Sequence, residues 1–317
     1  MKKCGQICAA VLAFALLISF AGAQENDNPV LKGQYLGQEP PGDTAVVFAP
    51  GVVSTGKEHS AAMFTPDGKE IWFGRLYPSV IYFMMITDGS WTDPQIAPFS
   101  DSVTNSLYPI LAPDGNQIFF STKRSLDDPA RKLPGGDFHI WVTKRSGDQW
   151  SEPVHLDENV NFGHRQSCGS IAANGDLYFV SSDNKGSVNL YYSALINGNY
   201  GDTLALDELN SPSPDHSPFL ALDGNYIIFS SFRGGLGRSD LFISFREHDN
   251  SWSKPVNMGP DVNSKYKDEY PFVTPDGKYL FFNSNRPSSL NPNAIEDGPG
   301  NIYWISSGII DKLRPDN

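Results

Sequence analysis

One hairpin motif, repeated five times, constrains this chain more than any other feature. Residues 63–73, 110–120, 170–179, 219–229 and 272–282 each read as a short apolar strand, an Asp-Gly or Asn-Gly turn and a second apolar strand. The turn residues Asp67, Asp114, Asn174, Asp223 and Asp276 follow one another at intervals of about 50 residues. Glycine after each of them supplies the positive φ of a tight hairpin. A third apolar strand recurs at 80–84, 138–142, 189–192, 240–243 and 301–305. A Trp-x-x-Pro element then closes three of the units, with Trp91 and Pro94, Trp150 and Pro153, and Trp252 and Pro255. In the third unit Tyr200 stands at the Trp position without the proline, and Ala172-Ala173 replaces the usual residues before the turn.

Such a unit is one four-stranded antiparallel blade. The predicted fold is therefore all-β, a five-bladed β-propeller. The fifth unit lacks its last segment, and residues 44–55 precede the first hairpin as residues 255–264 precede the fifth. These N-terminal residues are predicted to form the outer strand of the last blade, closing the ring and removing two exposed edges. A sixth blade is the alternative. It would need about 40 residues before Phe48, more than the mature chain has there.

The composition agrees. Only 19% of the residues are charged, 12% are aromatic, and Gly (29) and Pro (24) supply turns. The formal charge of −12 repels nucleic acid and anionic membrane surfaces, so neither is expected as a partner. Lys2 and Lys3, an apolar run over 7–20 and the small triplet Ala21, Gly22 and Ala23 read as a signal peptide, residues 1–23, cut before Gln24. The run is short for a membrane span, so no span is expected after cleavage. A periplasmic or secreted location follows. Cys4 and Cys8 leave with the signal, and Cys168 alone has no partner for an intrachain disulfide. Residues 24–43 are an N-terminal extension, and 44–317 form one domain, expected as a monomer.

The Pro-Asp-Gly hairpins, followed by Phe-Ser or Phe-Asn with an Arg four residues after the Phe and then Asp/Asn-Leu/Ile-Tyr/Phe, resemble the TolB-type repeat. That is a WD40-like propeller repeat of bacterial envelope proteins, and the resemblance covers roughly residues 44–307. It implies the propeller fold and partner binding by the propeller. TolB proteins also carry a separate N-terminal domain, for which this chain has no room, so the resemblance does not extend to TolB itself.

Tight turns of low variety occupy one face of such a ring. The irregular loops at 125–137 and 287–300 belong to the other, and a site is expected there. Blade-opening residues should meet at its centre: Glu58 and His59; Asn105 and Tyr108; His164, Arg165 and Gln166; Asp215 and His216; Asp268, Glu269 and Tyr270. A second ring comes from the loops after the second strands, with Arg75, Arg124, Lys185, Arg233 and Arg286. These cations either hold their own loops by bonds to the third-strand residues Asp137, Asn189, Asp240 and Asn301, or face an anionic ligand. His59, His164 and His216 either cap their own strands or converge at the channel mouth. Trp91, Trp150 and Trp252, at one repeat position, read as blade packing. The glycine-rich run 234–237 leads into a strand, so it is no phosphate cradle.

No strong catalytic, cofactor or metal motif is present. The expected function is a non-catalytic binding module for a protein or glycan partner in the bacterial envelope. The alternative is a polysaccharide lyase or hydrolase using His or Tyr as acid or base and Arg to neutralise a uronate.

Overall fold

The structure is a computed structural model, and it describes residues 31–127, 134–182 and 186–315. The signal peptide, Arg131, Lys132 and Lys185 lie outside the described residues, and so does the side chain of Cys168.

The described strands are antiparallel and fall into five sets. Strand β1 (Val46–Val47) comes first. The first set is β2 (His59–Phe64), β3 (Glu70–Leu76) and β4 (Ser79–Thr87), with short β5 (Ser90–Trp91) and β6 (Gln95–Ile96). The second is β7 (Leu107–Leu111), β8 (Gln117–Arg124) and β9 (Pro134–Ser146), with β10 (Gln149–Trp150) and β11 (Val154–His155). The third is β12 (Arg165–Ile171), β13 (Leu177–Ser182), β14 (Val188–Ile196) and β15 (Asn199–Ala205). The fourth is β16 (Asp215–Leu220), β17 (Tyr226–Ser231), β18 (Asp240–Phe245) and β19 (Val256–Asn257). The fifth is β20 (Asp268–Val273), β21 (Tyr279–Ser284) and β22 (Asn301–Ser306), followed by the helix α1 (Gly308–Leu313). Strand β1 pairs with β22, Val46 opposite Trp304 and Val47 opposite Tyr303. A single parallel bridge, Arg165 to Phe138, joins the second and third sets.

The opening strands β2, β7, β12, β16 and β20 contact one another in that order, and β20 also contacts β2. The glycine after each turn residue has φ between 68° and 91°, as the hairpin motif requires. Aromatic residues fill the space between sets. Phe48, fully buried, meets Phe64, Phe281 and Trp304 edge-on at 4.9–6.0 Å. Burial of a ring of this size stabilises by about 2–3 kcal/mol. Trp150 of the second set packs across its boundary on Trp72 of the first and on Phe99, while Trp91 packs on Phe64 of its own set.

Residues 31–43, expected as an extension outside the domain, are packed into it. Leu31 O and Gly33 O accept hydrogen bonds from Trp91 N and Nε1, each at 2.8 Å. Leu36 is fully buried, and Tyr35 lies among Phe64, Tyr279 and Trp304 with its hydroxyl donating to Asp276 at 3.0 Å. This segment covers the boundary between the fifth and first sets. It carries no copy of the repeat, so the repeat could not reveal its place.

Candidate functional site

Each opening strand carries a register shift against its hairpin partner: between His59 and Ala62, Leu107 and Ile110, Cys168 and Ser170, His216 and Phe219, and Glu269 and Phe272. Such bulges re-aim the side chains around them. In three of them a non-glycine residue takes the left-handed conformation, with φ of 52° at Tyr108, 54° at Ser217 and 57° at Tyr270. That conformation costs about 1–2 kcal/mol per residue, and these three are the sixth residue before their respective turn residues.

The three strained residues face one cavity of about 180 Å³, with Arg165, Ser167 and His216 among its other walls. The rings of Tyr108 and Tyr270 stack at 5.3 Å with 26° between planes, and Tyr270 OH donates to Tyr108 OH at 3.3 Å. Burial raises the pKa of both phenols, and at Tyr270 the neighbouring Tyr108 and Glu269 add to the effect. Both therefore stay protonated at neutral pH and can donate hydrogen bonds. His216 stands beside them, its ring 6.4 Å from that of Tyr270 and its Nδ1 3.1 Å from Ser217 Oγ. Burial lowers its pKa against the opposing pull of Glu269, so the imidazole is neutral at pH 7. Its Nε2 is 3.7 Å from Glu269 Oε1, beyond hydrogen-bond reach, and has no hydrogen-bond partner among the described residues. Glu58 is half-buried, and its pKa is raised by burial, with Glu269 adding and Lys267 opposing. Arg165 is exposed, its guanidinium 5.2 Å from the Phe138 ring.

The expected blade-opening ring therefore divides. His216, Tyr108, Tyr270 and Arg165 line the cavity, with Glu269 beside His216. His59 is fully buried instead, with Nδ1 3.1 Å from Gly300 O and Nε2 3.5 Å from Thr55 Oγ1. Burial lowers its pKa to about 4. Asp268, also fully buried, accepts from Arg286 at 2.6 Å and from Ser264 N at 2.6 Å. His164 is exposed and bonds Asp137 at 2.9 Å. Among the described residues no three His, Cys, Asp or Glu side chains group closely enough to hold a metal ion.

The arginines are engaged by the fold. Arg233 donates to Asp215 at 2.7 Å and to Leu209 O at 2.5 Å. Arg286 repeats this with Asp268 and Val262 O. Arg124 donates to Phe99 O at 3.0 Å, and Arg75 donates to Val52 O at 3.2 Å while lying over the Tyr82 ring. The expectation that Arg233 and Arg286 bond the third strand is corrected: their carboxylate partners sit on the first. Asp215 lies opposite Ser231 and Asp268 opposite Ser284, each two residues before its arginine. Asp240 instead accepts from Leu236 N and Gly237 N, and Asn301 from Gly56 N.

Sequence reasoning missed Ser167 and Ser182 as wall residues. Counting back from the turn residues finds the first of them, since Ser167, His216 and Glu269 are each seventh before the turn. Ser217→Gly relieves one left-handed non-glycine residue. It is expected to stabilise the protein by up to about 1 kcal/mol, read as a higher urea midpoint with unchanged slope.

No family model matches the sequence, and no curated protein matches it. Solved structures do. A putative TolB from Agrobacterium tumefaciens is similar with a TM-score of 0.52 at 16% identity, over 79% of this chain and 90% of that one. TolB from Acinetobacter baumannii gives 0.50 at 17% identity, over 79% of this chain and 57% of that one. An endo-arabinase from Bacteroides thetaiotaomicron gives 0.51 at 13% identity, over 80% and 95%. At such identities the likeness is one of fold. The chain has a TolB-like β-propeller fold, shared by proteins of different function.

Proposed function

We propose that this chain is an exported five-bladed propeller, closed by residues 44–55, that binds a protein or glycan partner of the bacterial envelope at the channel mouth without catalysis. The pairing of β1 with β22 and the contact of β20 with β2 support five closed blades. The basic, apolar and small-residue pattern of residues 1–23 supports export to the periplasm or beyond. No described helix is long and apolar enough to cross a membrane.

The observation that carries the binding reading is the buried, unpartnered Nε2 of His216 at a cavity walled by two stacked phenols. Buried polar atoms are nearly always satisfied, and a ligand hydroxyl or N–H placed between His216 and Glu269 would satisfy both. A cavity of about 180 Å³ takes one sugar ring or one side chain rather than a whole domain. The mouth then reads one protruding group of a larger partner. Glycan and peptide arrays probed with residues 24–317 test this. Bound spots should be lost with the double variant His216→Ala/Tyr270→Phe; spots unchanged by it would move the site elsewhere.

The same cavity supports one catalytic reading. Neutral His216 is a proton acceptor, Tyr108 and Tyr270 are donors, and Arg165 is a cation for a uronate carboxylate. Incubation with uronate polymers would then yield unsaturated or reducing ends that the double variant does not produce. Their absence across such polymers leaves the binding reading.

A further inference from the structure

Where the first blade meets the second, a latch closes the boundary. Trp150 packs on Trp72, Arg145 lies over Trp150 at 4.6 Å, and its two terminal nitrogens bond Glu70 at 2.9 and 2.5 Å. Equivalent residues at other boundaries are fixed by a repeated hydrogen bond. Thr143 Oγ1 donates to Ser151 O, Ser193 Oγ to Gly201 O and Ser244 Oγ to Ser253 O, at 2.7, 2.8 and 2.6 Å. Leu195 and Arg246 therefore match Arg145, and Tyr200 and Trp252 match Trp150. Counted from the turn residues, Gln117 matches Glu70 and Phe119 matches Trp72.

Between the third and fourth blades the arginine and tryptophan persist, with Arg246 3.8 Å over Trp252. Between the second and third every member of the latch is changed. Glutamate has become Gln117, arginine Leu195, and the two tryptophans Tyr200 and Phe119. The ion pair is gone, and a cavity of about 530 Å³ stands at this boundary. That size lies within the range of small-molecule sites.

Its base is apolar, with Phe119, Val142 and Ile171, while Lys144, Gln117 and His155 stand on its walls. His155 Nε2 is 2.8 Å from His139 Nδ1 and 3.1 Å from Asn161 Nδ2. One of the two imidazoles donates to the other across the first of these contacts. The Asn161 oxygen accepts from Ile140 N, and its nitrogen donates to Ile140 O at 3.0 Å and Leu156 O at 2.9 Å. Asp114 and Asp157, also in the wall, each accept a backbone N–H of their own turn, from Asn116 and Asn159. The Lys144 ammonium has no hydrogen-bond or ion-pair partner among the described residues and is the wall's donor for a ligand. A groove of about 640 Å³ at the next boundary differs, because its rim groups bond one another: Asp176 to Tyr192 and Asn225 to Asp223.

We propose that the cleft between the second and third blades is a second binding site, distinct from the channel mouth, for a small aromatic molecule bearing an acceptor group. The ring takes the space left where Tyr200, Phe119 and Leu195 replace the larger Trp150, Trp72 and Arg145 of the first latch. The acceptor meets Lys144.

Calorimetric titration of residues 24–317 with indole-3-acetate, indole and acetate tests this. Indole-3-acetate should bind saturably in the millimolar range or tighter, indole about 5–10-fold more weakly, and acetate not at all. Tyr200→Trp refills the cleft with the repeat's own residue, and Gln117→Glu/Leu195→Arg rebuilds the latch. Either should abolish binding while leaving the thermal midpoint equal or higher. His216→Ala/Tyr270→Phe should leave this binding unchanged, which separates it from the mouth. No saturable binding of either ring compound, or binding undiminished by both refilling changes, overturns the proposal.

Discussion

Phe48→Ala is expected to destabilise the protein by about 3–5 kcal/mol, the usual cost of deleting a fully buried ring. Phe48 sits just beyond β1, its N–H donates to Ile302 O at 2.8 Å, and its ring touches Phe64 of the first set and Phe281 and Trp304 of the fifth. One side chain thus joins the chain's beginning to its end. Tyr35→Ala removes a half-buried ring from the same boundary and should cost less, about 1–3 kcal/mol. Urea unfolding measures both. If residues 44–55 close the ring, Phe48→Ala should also lower protection of β20–β22 amides from hydrogen exchange. A loss confined to the N-terminal segment would argue against closure by this strand.

The second large effect is acid destabilisation through His59. Its pKa is lowered from 6.5 to about 4 in the folded chain by burial, although Gly300 O accepts its Nδ1–H. The unfolded chain therefore takes up the proton first. Stability from this residue is fully present above pH 6.5 and is lost as pH falls toward about 4, by roughly 3 kcal/mol in total. His155, its pKa also lowered to about 4 by burial, acts in the same direction over the same window. Gln166 occupies the repeat position of His59, eighth before its turn residue. His59→Gln is accordingly a substitution the fold already accommodates once. Unfolding at pH 7 and pH 4.5 should show the variant losing markedly less stability than the wild type. Equal losses would place the acid sensitivity elsewhere.

The fold was legible because its signal is local and repeated. A turn residue followed by glycine between two apolar strands predicts a hairpin, and five of them at similar spacing predict a propeller. The placement of the candidate site residues was legible in part. Blade-opening residues do meet, but a strand sends successive side chains to opposite faces, and each opening strand also carries a bulge. Asp268 therefore disappears into the blade, while Glu269, the next residue, stands beside His216. Nothing in a single sequence fixes the position of such a bulge. The partners of Arg233 and Arg286 were misread for a related reason: the hairpin register, which places a first-strand carboxylate within reach, is a property of the pairing. Tyr35 lay beyond sequence reasoning because its segment resembles no part of the repeat.

The central claim is that the channel mouth, with His216 and the Tyr108–Tyr270 pair, is the binding site. Its most direct test is titration of the strongest array ligand against wild type, His216→Ala/Tyr270→Phe and Tyr200→Trp at neutral pH. The account predicts at least a tenfold loss of affinity, about 1.4 kcal/mol, for the mouth variant and none for Tyr200→Trp. Equal affinity for wild type and the mouth variant, with both folded, would contradict it.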